Sequence, residues 1–179
     1  MKKLTALILS LVLMLAAFTG CASSKPEPTP TPTPELTPTE RAELYKNAIE
    51  SARSEEDNQY NPIMTDTGFT DAELILELMG LTPEDMEAFA ISISLMNVRA
   101  YGVAVIKPAE GQEEIVYAAM QSFIDLQKQN FEQYLADQYE IASSARLETL
   151  EDGTVVMVMC QGADEVLSAI ESSITGQAA

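Results

Sequence analysis

Histidine is absent from this chain of 179 residues. Its absence removes the usual general base at neutral pH, and with it Ser-His and Cys-His catalysis and imidazole ligation of metals. Tryptophan is absent as well, and cysteine occurs only as Cys21 and Cys160. A disulfide scaffold therefore cannot be built, and a folded domain must rest on its core. Cations are scarce: 10 Lys and Arg stand against 28 Asp and Glu, a formal net charge of −18. That sign opposes nucleic acid and polybasic attachment to anionic lipid, both of which reward Lys and Arg. It allows divalent cations or basic partners. The chain also lacks a Gly-rich phosphate loop, a nucleophile elbow and a paired-cysteine metal motif. No catalytic residue, metal ligand set or cofactor is expected.

What is present begins at the N-terminus. Met1-Lys2-Lys3 is a positive opening, Leu4 to Ala17 is an apolar run, and Phe18-Thr19-Gly20-Cys21 is a small-residue cleavage site ending in cysteine. The run is too short to span a hydrocarbon core, where a helix needs roughly 20 residues. The pattern is that of a secretory signal over residues 1–20, cut between Gly20 and Cys21, with Cys21 as the lipidation site. Stable anchoring takes two acyl signals or more, as diacylglycerol on the thiol supplies. The signal carries two lysines and no acid, so the mature chain is more negative still than −18. Residues 21–38 are a Pro/Thr-rich tether in which proline on alternate positions forbids helix and favours an extended form. At about 3.1 Å per residue it reaches on the order of 50 Å.

The remainder suits one core, divided into an N-terminal helical segment (39–80), an α+β domain (81–175) and a tail (176–179). Thr37-Pro38-Thr39-Glu40 is a capping box with proline at the first helical position, opening a thinly apolar helix to about Asp57. Thr70-Asp71-Ala72-Glu73 opens a second helix that Gly80 closes, and Thr82-Pro83-Glu84-Asp85 a third, short one. The period then changes to two. Phe89, Ile91, Ile93 and Leu95 alternate with the small Ala90, Ser92 and Ser94 in a first strand, and Tyr101 to Val105 form a second that ends at Lys107-Pro108. Residues 110–138 have helical spacing, with Glu110, Glu113 and Glu114 suited to the positive end of the helix dipole. Tyr139 to Ser144 link to a third strand, about 145–150. Asp152-Gly153 reads as a two-residue turn into an apolar, central strand over 154–160. A helix over 163–174 closes the chain. The expected fold is α+β and two-layered: a four-stranded antiparallel sheet in ββαββα order, helices on one face, short helices before it.

Several of these residues also carry a likeness. Met96-Asn97, Ile106-Lys107, Gln127-Lys128-Gln129-Asn130-Phe131, Tyr134-Leu135-Ala136-Asp137-Gln138-Tyr139 and Asp152-Gly153 resemble a domain-of-unknown-function family found in small membrane-anchored lipoproteins of Gram-positive Firmicutes. The resemblance spans Glu84 to Ile174, and Ala136 departs from it where the family pattern has proline. It implies a location and a domain type and no activity.

Candidate binding residues are Lys107 at a strand end, and Tyr134 and Tyr139 beside the long helix, where they would line a pocket against the sheet. Each has a plainer reading, as a snorkelling lysine or as tyrosines at the rim of a core. Cys160 ends an apolar strand with no cation near it in sequence, which marks a buried hydrophobe rather than a reactive thiol. The functional expectation is a lipid-anchored, extracytoplasmic binding module with an envelope protein as partner, and no enzyme. A small-molecule accessory for uptake or sensing is the alternative, and a carboxylate-based hydrolase comes last.

Overall fold

Thr37 caps the first helix as the sequence predicts. In the computed structural model, which describes residues 36–177, its hydroxyl accepts the Glu40 N–H at 3.3 Å and the Glu40 carboxylate accepts the Thr37 N–H at 2.9 Å. Helix α1 runs Pro38–Ala52 and stops at Arg53; Ser54 then caps a separate short helix α2, Glu55–Tyr60. The single helix expected to Asp57 is thus two. Thin as its apolar set is, α1 buries Ala42, Leu44, Tyr45, Ala48 and Ile49. Helix α3, Ala72–Met79, ends at Gly80 with φ of +70°, as read, but Asp71 precedes it and the expected Thr70 box does not form. The box at Thr82 is present and encloses one 3-10 turn, Pro83–Asp85, because strand β1 begins at once.

The elements that follow are β1 (Met86–Ile93), β2 (Gly102–Pro108), α4 (Glu113–Phe131), α5 (Ala136–Ser143), β3 (Arg146–Thr149), β4 (Val155–Met159) and α6 (Ala163–Gln177). The helix expected over 110–138 breaks after Phe131, and Tyr139 to Ser144, read as a link, belong to α5. Length explains the break. The 19 residues of α4 already span about 28 Å. The eight residues of β1 span about 26 Å, so a longer helix would overshoot the sheet. Between β3 and β4 the loop has three residues, Glu151 to Gly153, not two: Leu150 N–H reaches Thr154 O at 2.8 Å, and Gly153 takes φ of +82°. That is the bulged hairpin that a left-handed glycine permits.

The sheet is four-stranded and antiparallel in the order β1-β2-β4-β3, so the α+β class and the central place of β4 stand as read. An isolated bridge covers part of the outer edge of β1, where Met64 and Ile91 exchange hydrogen bonds of 2.7 and 2.9 Å. The expectation of helices on one face is corrected: helices lie on both, giving three layers. Phe89, Ile91, Ile93, Ile106, Met157 and Met159 pack under α3, α4 and α5. Ala88, Ala90, Val103, Val105, Val156 and Val158 pack under α1 and α6. Strands that are apolar on both faces require this, and the small Ala90 and Ser92 receive α1 rather than an outside partner. Gly102 makes room on the first face, since a Cβ there would stand 3.2 Å from the Phe123 ring. Because α1 supplies one layer, the helical segment 39–80 packs into the same compact unit as the strands.

Glu148 of β3 and Glu171 of α6 oppose like charges. Burial foremost, then the charge and hydrogen bond of Glu148, push the Glu171 carboxyl above its ordinary value. The folded state therefore gains from a proton here: the contribution is complete below the unfolded carboxyl's range and is lost as pH rises through the raised folded value. Replacing Glu171 by Gln is expected to raise the melting temperature by about 1–2 °C at pH 7 and to leave it unchanged at pH 4, read by calorimetry.

Candidate functional site

Tyr45 and Ile49 stand four residues apart on one stripe of α1, and Arg53, its C-cap, continues the spacing. The first two are fully buried against the sheet, and Arg53 follows them down to 9% exposure. Its guanidinium donates to Ser92 Oγ and Tyr101 Oη at 2.8 Å each, to Asn61 O at 2.7 Å and to Asn58 Oδ1 at 2.7 Å. Ser92 Oγ also donates to Asn61 O at 3.0 Å. The fork thus ties the end of α1 to α2, β1 and β2 together. Asp57 is one step further out: it accepts from Asn61 Nδ2 at 3.1 Å and from Arg99 Nη2 at 2.6 Å. The Arg99 guanidinium lies 5.1 Å from the centre of the Tyr101 ring. Burial raises the Tyr101 hydroxyl above its ordinary range, against the opposing charge of Arg53.

This network forms one wall at the end of the sheet where Ile93, Gly102 and Met159 are paired. Two hollows adjoin there. One, about 610 Å³, lies between the start of α2 and the β1–β2 loop. The other, about 620 Å³, lies between α5 and the β4–α6 turn. Gln138, Ile141, Cys160 and Gln161 line both. Gln138 bridges the walls, accepting the Ala100 N–H at 2.9 Å and donating to Asp137 Oδ2 at 2.9 Å, a bond that lowers the Asp137 carboxyl below its usual range. Arg146 holds Asp164 through two bonds of 2.5 and 3.1 Å.

Cys160 lies buried on the α1/α6 side of the sheet. Burial pushes its thiol up to about 11; the charge of Asp57 adds to this, and Arg53 and Arg99 oppose it. A thiol so placed is a packing group and a poor nucleophile at neutral pH.

The residues singled out in the sequence fall elsewhere. Lys107 is at the far end of the sheet, donating to the Asp152 carbonyl and tying β2 to the β3–β4 loop. Tyr134 is 71% exposed in the α4–α5 link and Tyr139 is 37% exposed on α5. Neither lines the expected pocket against the sheet, because Met120, Phe123, Ile124 and Phe131 fill that space. On α5 the three-residue spacing of Gln138 and Ile141 turns that pair toward the groove, so Tyr139 faces away. Gly20 and Cys21 lie outside the described residues. Sequence reading missed Arg53, Arg99, Asp57 and Gln161, and carried Gln138 only as part of the Tyr134–Tyr139 stretch. The one signal for Arg53 was a cation on the apolar stripe of α1, opposite the small face of β1.

The fold and site define a small three-layer α+β domain with a polar groove at one sheet end. Residues 64–160, just over half of the chain, match the family model described as Domain of unknown function (DUF4358). The chain belongs to that family. No curated protein and no solved structure matches it.

Replacing Arg53 by Met removes the guanidinium donors from Ser92, Tyr101, Asn58 and the Asn61 carbonyl, leaving that carbonyl only the Ser92 hydroxyl, and is expected to cost about 3 kcal/mol, seen as a lower urea midpoint. Cys160 is expected to react with a disulfide reagent at pH 8 about 100-fold more slowly in the folded protein than in urea, with the gap closing toward pH 11.

Proposed function

We propose that this chain is a lipid-anchored lipoprotein on the extracytoplasmic face of a Gram-positive cell membrane. Its domain is a non-enzymatic module that binds an envelope protein. The reading of Met1 to Cys21 as signal and anchor supports the location, together with the proline tether. The observation that carries the binding role is the groove itself, rich in carboxylates and rimmed by the exposed Met96 and Val98. Helix α1 enters at the sheet end where Arg41 lies 3.6 Å from Glu87 and 3.7 Å from Asp152. It finishes at the other end, where Arg53 meets Ser92 and Tyr101. Its 15 residues put about 22 Å between Pro38 and the groove end of the sheet. On the described domain the groove lies open between α2, the β1–β2 loop, α5 and the β4–α6 turn.

A small-molecule accessory for uptake or sensing is the second reading. Hollows of about 610 and 620 Å³ fall within the size range of ligand pockets, but their lining is charged and amide-rich where such pockets are mostly apolar. A carboxylate hydrolase draws no support from Glu148 and Glu171, which lie outside the groove lining.

Mass spectrometry of the protein from its native cells is expected to find diacylglycerol on Cys21. Cys21→Ser is expected to move the protein from the detergent phase to the aqueous phase on partitioning. An unmodified Cys21, or a protein kept in the cytosol, refutes the location. A crosslinking survey on intact cells that finds no protein partner refutes the binding role.

A further inference from the structure

We infer that the groove takes an extended basic segment of the partner protein, one that sets an apolar side chain beside its Lys or Arg. This rests on the protein-binding reading above and names the chemistry of the partner.

Charge is unevenly matched inside the groove. Arg99 and Arg146 are its two cations, and each is already held by a carboxylate, Asp57 and Asp164. Glu56, Asp137, Glu140 and Glu165 also line it, and none has a cation within salt-bridge distance among the described residues. An occupant must therefore bring positive charge, and it meets no uncommitted guanidinium that would repel it.

The rim adds a separate, apolar demand. The β1–β2 loop holds Met96 at 57% and Val98 at 59% exposure, and both line the hollow beside Asp57 and Tyr101. Large apolar side chains standing in water next to a concave surface mark a place where another surface packs, and Met adapts its shape to a partner. A bare polyamine or metal ion answers the carboxylates and leaves Met96 and Val98 wet. A peptide answers both. The two hollows lie side by side with Gln138 and Gln161 in the shared wall. Gln161 is exposed, and its amide makes no side-chain hydrogen bond among the described residues. It offers a donor and an acceptor to a passing peptide backbone.

The test uses the full mature chain and a fluorescein-labelled peptide alternating Lys with Leu or Val, beside its Glu counterpart and spermidine. The lysine peptide is expected to bind, more weakly as salt rises, and the glutamate peptide not to bind. Joint replacement Asp137→Asn, Glu140→Gln and Glu165→Gln is expected to weaken binding at least tenfold, and Met96→Ser with Val98→Ser about fivefold. Replacement of remote acids, Glu43→Gln with Glu110→Gln, should leave binding unchanged. Equal losses from the remote and groove sets, or no binding of the lysine peptide, overturn the inference. So does displacement by spermidine at the peptide's own concentration with no effect of Met96 and Val98. A photocrosslinker at position 161, used in intact cells, separates the two levels. A protein captured there without any affinity for the basic peptide sinks the partner chemistry and spares the binding role; neither capture nor affinity sinks both.

Discussion

The Arg53 guanidinium sits inside the protein with only neutral oxygens as direct partners. A buried cation without a touching carboxylate is costly unless its donors are satisfied. Here four acceptors from three directions meet the fork: Ser92 on β1, Tyr101 just before β2, the Asn58 amide and the Asn61 carbonyl. Arg53 is also the C-cap residue of α1, where the negative end of the helix dipole supplies part of the missing countercharge. The arrangement works only when α1, α2 and both strands hold one register. It thereby fixes the wall from which Asp57, Arg99 and Tyr101 face the groove. Lysine could not do the same, because a point charge lacks the planar fork that spreads over separated acceptors.

A sheet apolar on both faces imposes the rest. The family segment, 64–160, contains the four strands and the helices of one face, and α1 and α6 lie outside it. Yet those two helices cover Val103, Val105, Val156 and Val158. Exposing four valines at about 1.5 kcal/mol each forfeits about 6 kcal/mol, which is comparable to the whole stability of a small domain. The folding unit of this chain is therefore larger than the segment that the family shares.

Features set by neighbouring residues were legible in the sequence. The Thr37 box, the Gly80 stop, the alternation of β1, and the apolar run that places β4 at the centre of the sheet are all local signals. Features decided by distance in space were not. The α4–α5 break follows from the length of the sheet, and the second helical layer from the fact that Ala90 and Ser92 admit a helix as readily as a ligand. The groove was hidden for the same reason. Its walls come from four loops and helix ends far apart in the chain, and residues such as Gln138 and Gln161 have no local pattern. Lys107, Tyr134 and Tyr139 attracted attention by residue type, while the structure uses a strand-end tie and two exposed rings.

The groove's position has a physical consequence for how any occupant is held. Its floor is the end of a close-packed sheet, pinned by Arg53, so the carboxylates on its walls are presented by elements whose relative placement is fixed. Its rim, in contrast, is the Leu95–Val98 connection, which the sheet leaves exposed. Wall charges act at range, so they govern the rate of encounter and its dependence on salt. Rim methyls act only on contact and govern how long a partner stays. A domain that separates the two functions in this way would collect a cationic chain quickly, and the net charge of −18 over the whole chain has the sign that aids the encounter. It would then discriminate among the collected chains by what packs against Met96 and Val98.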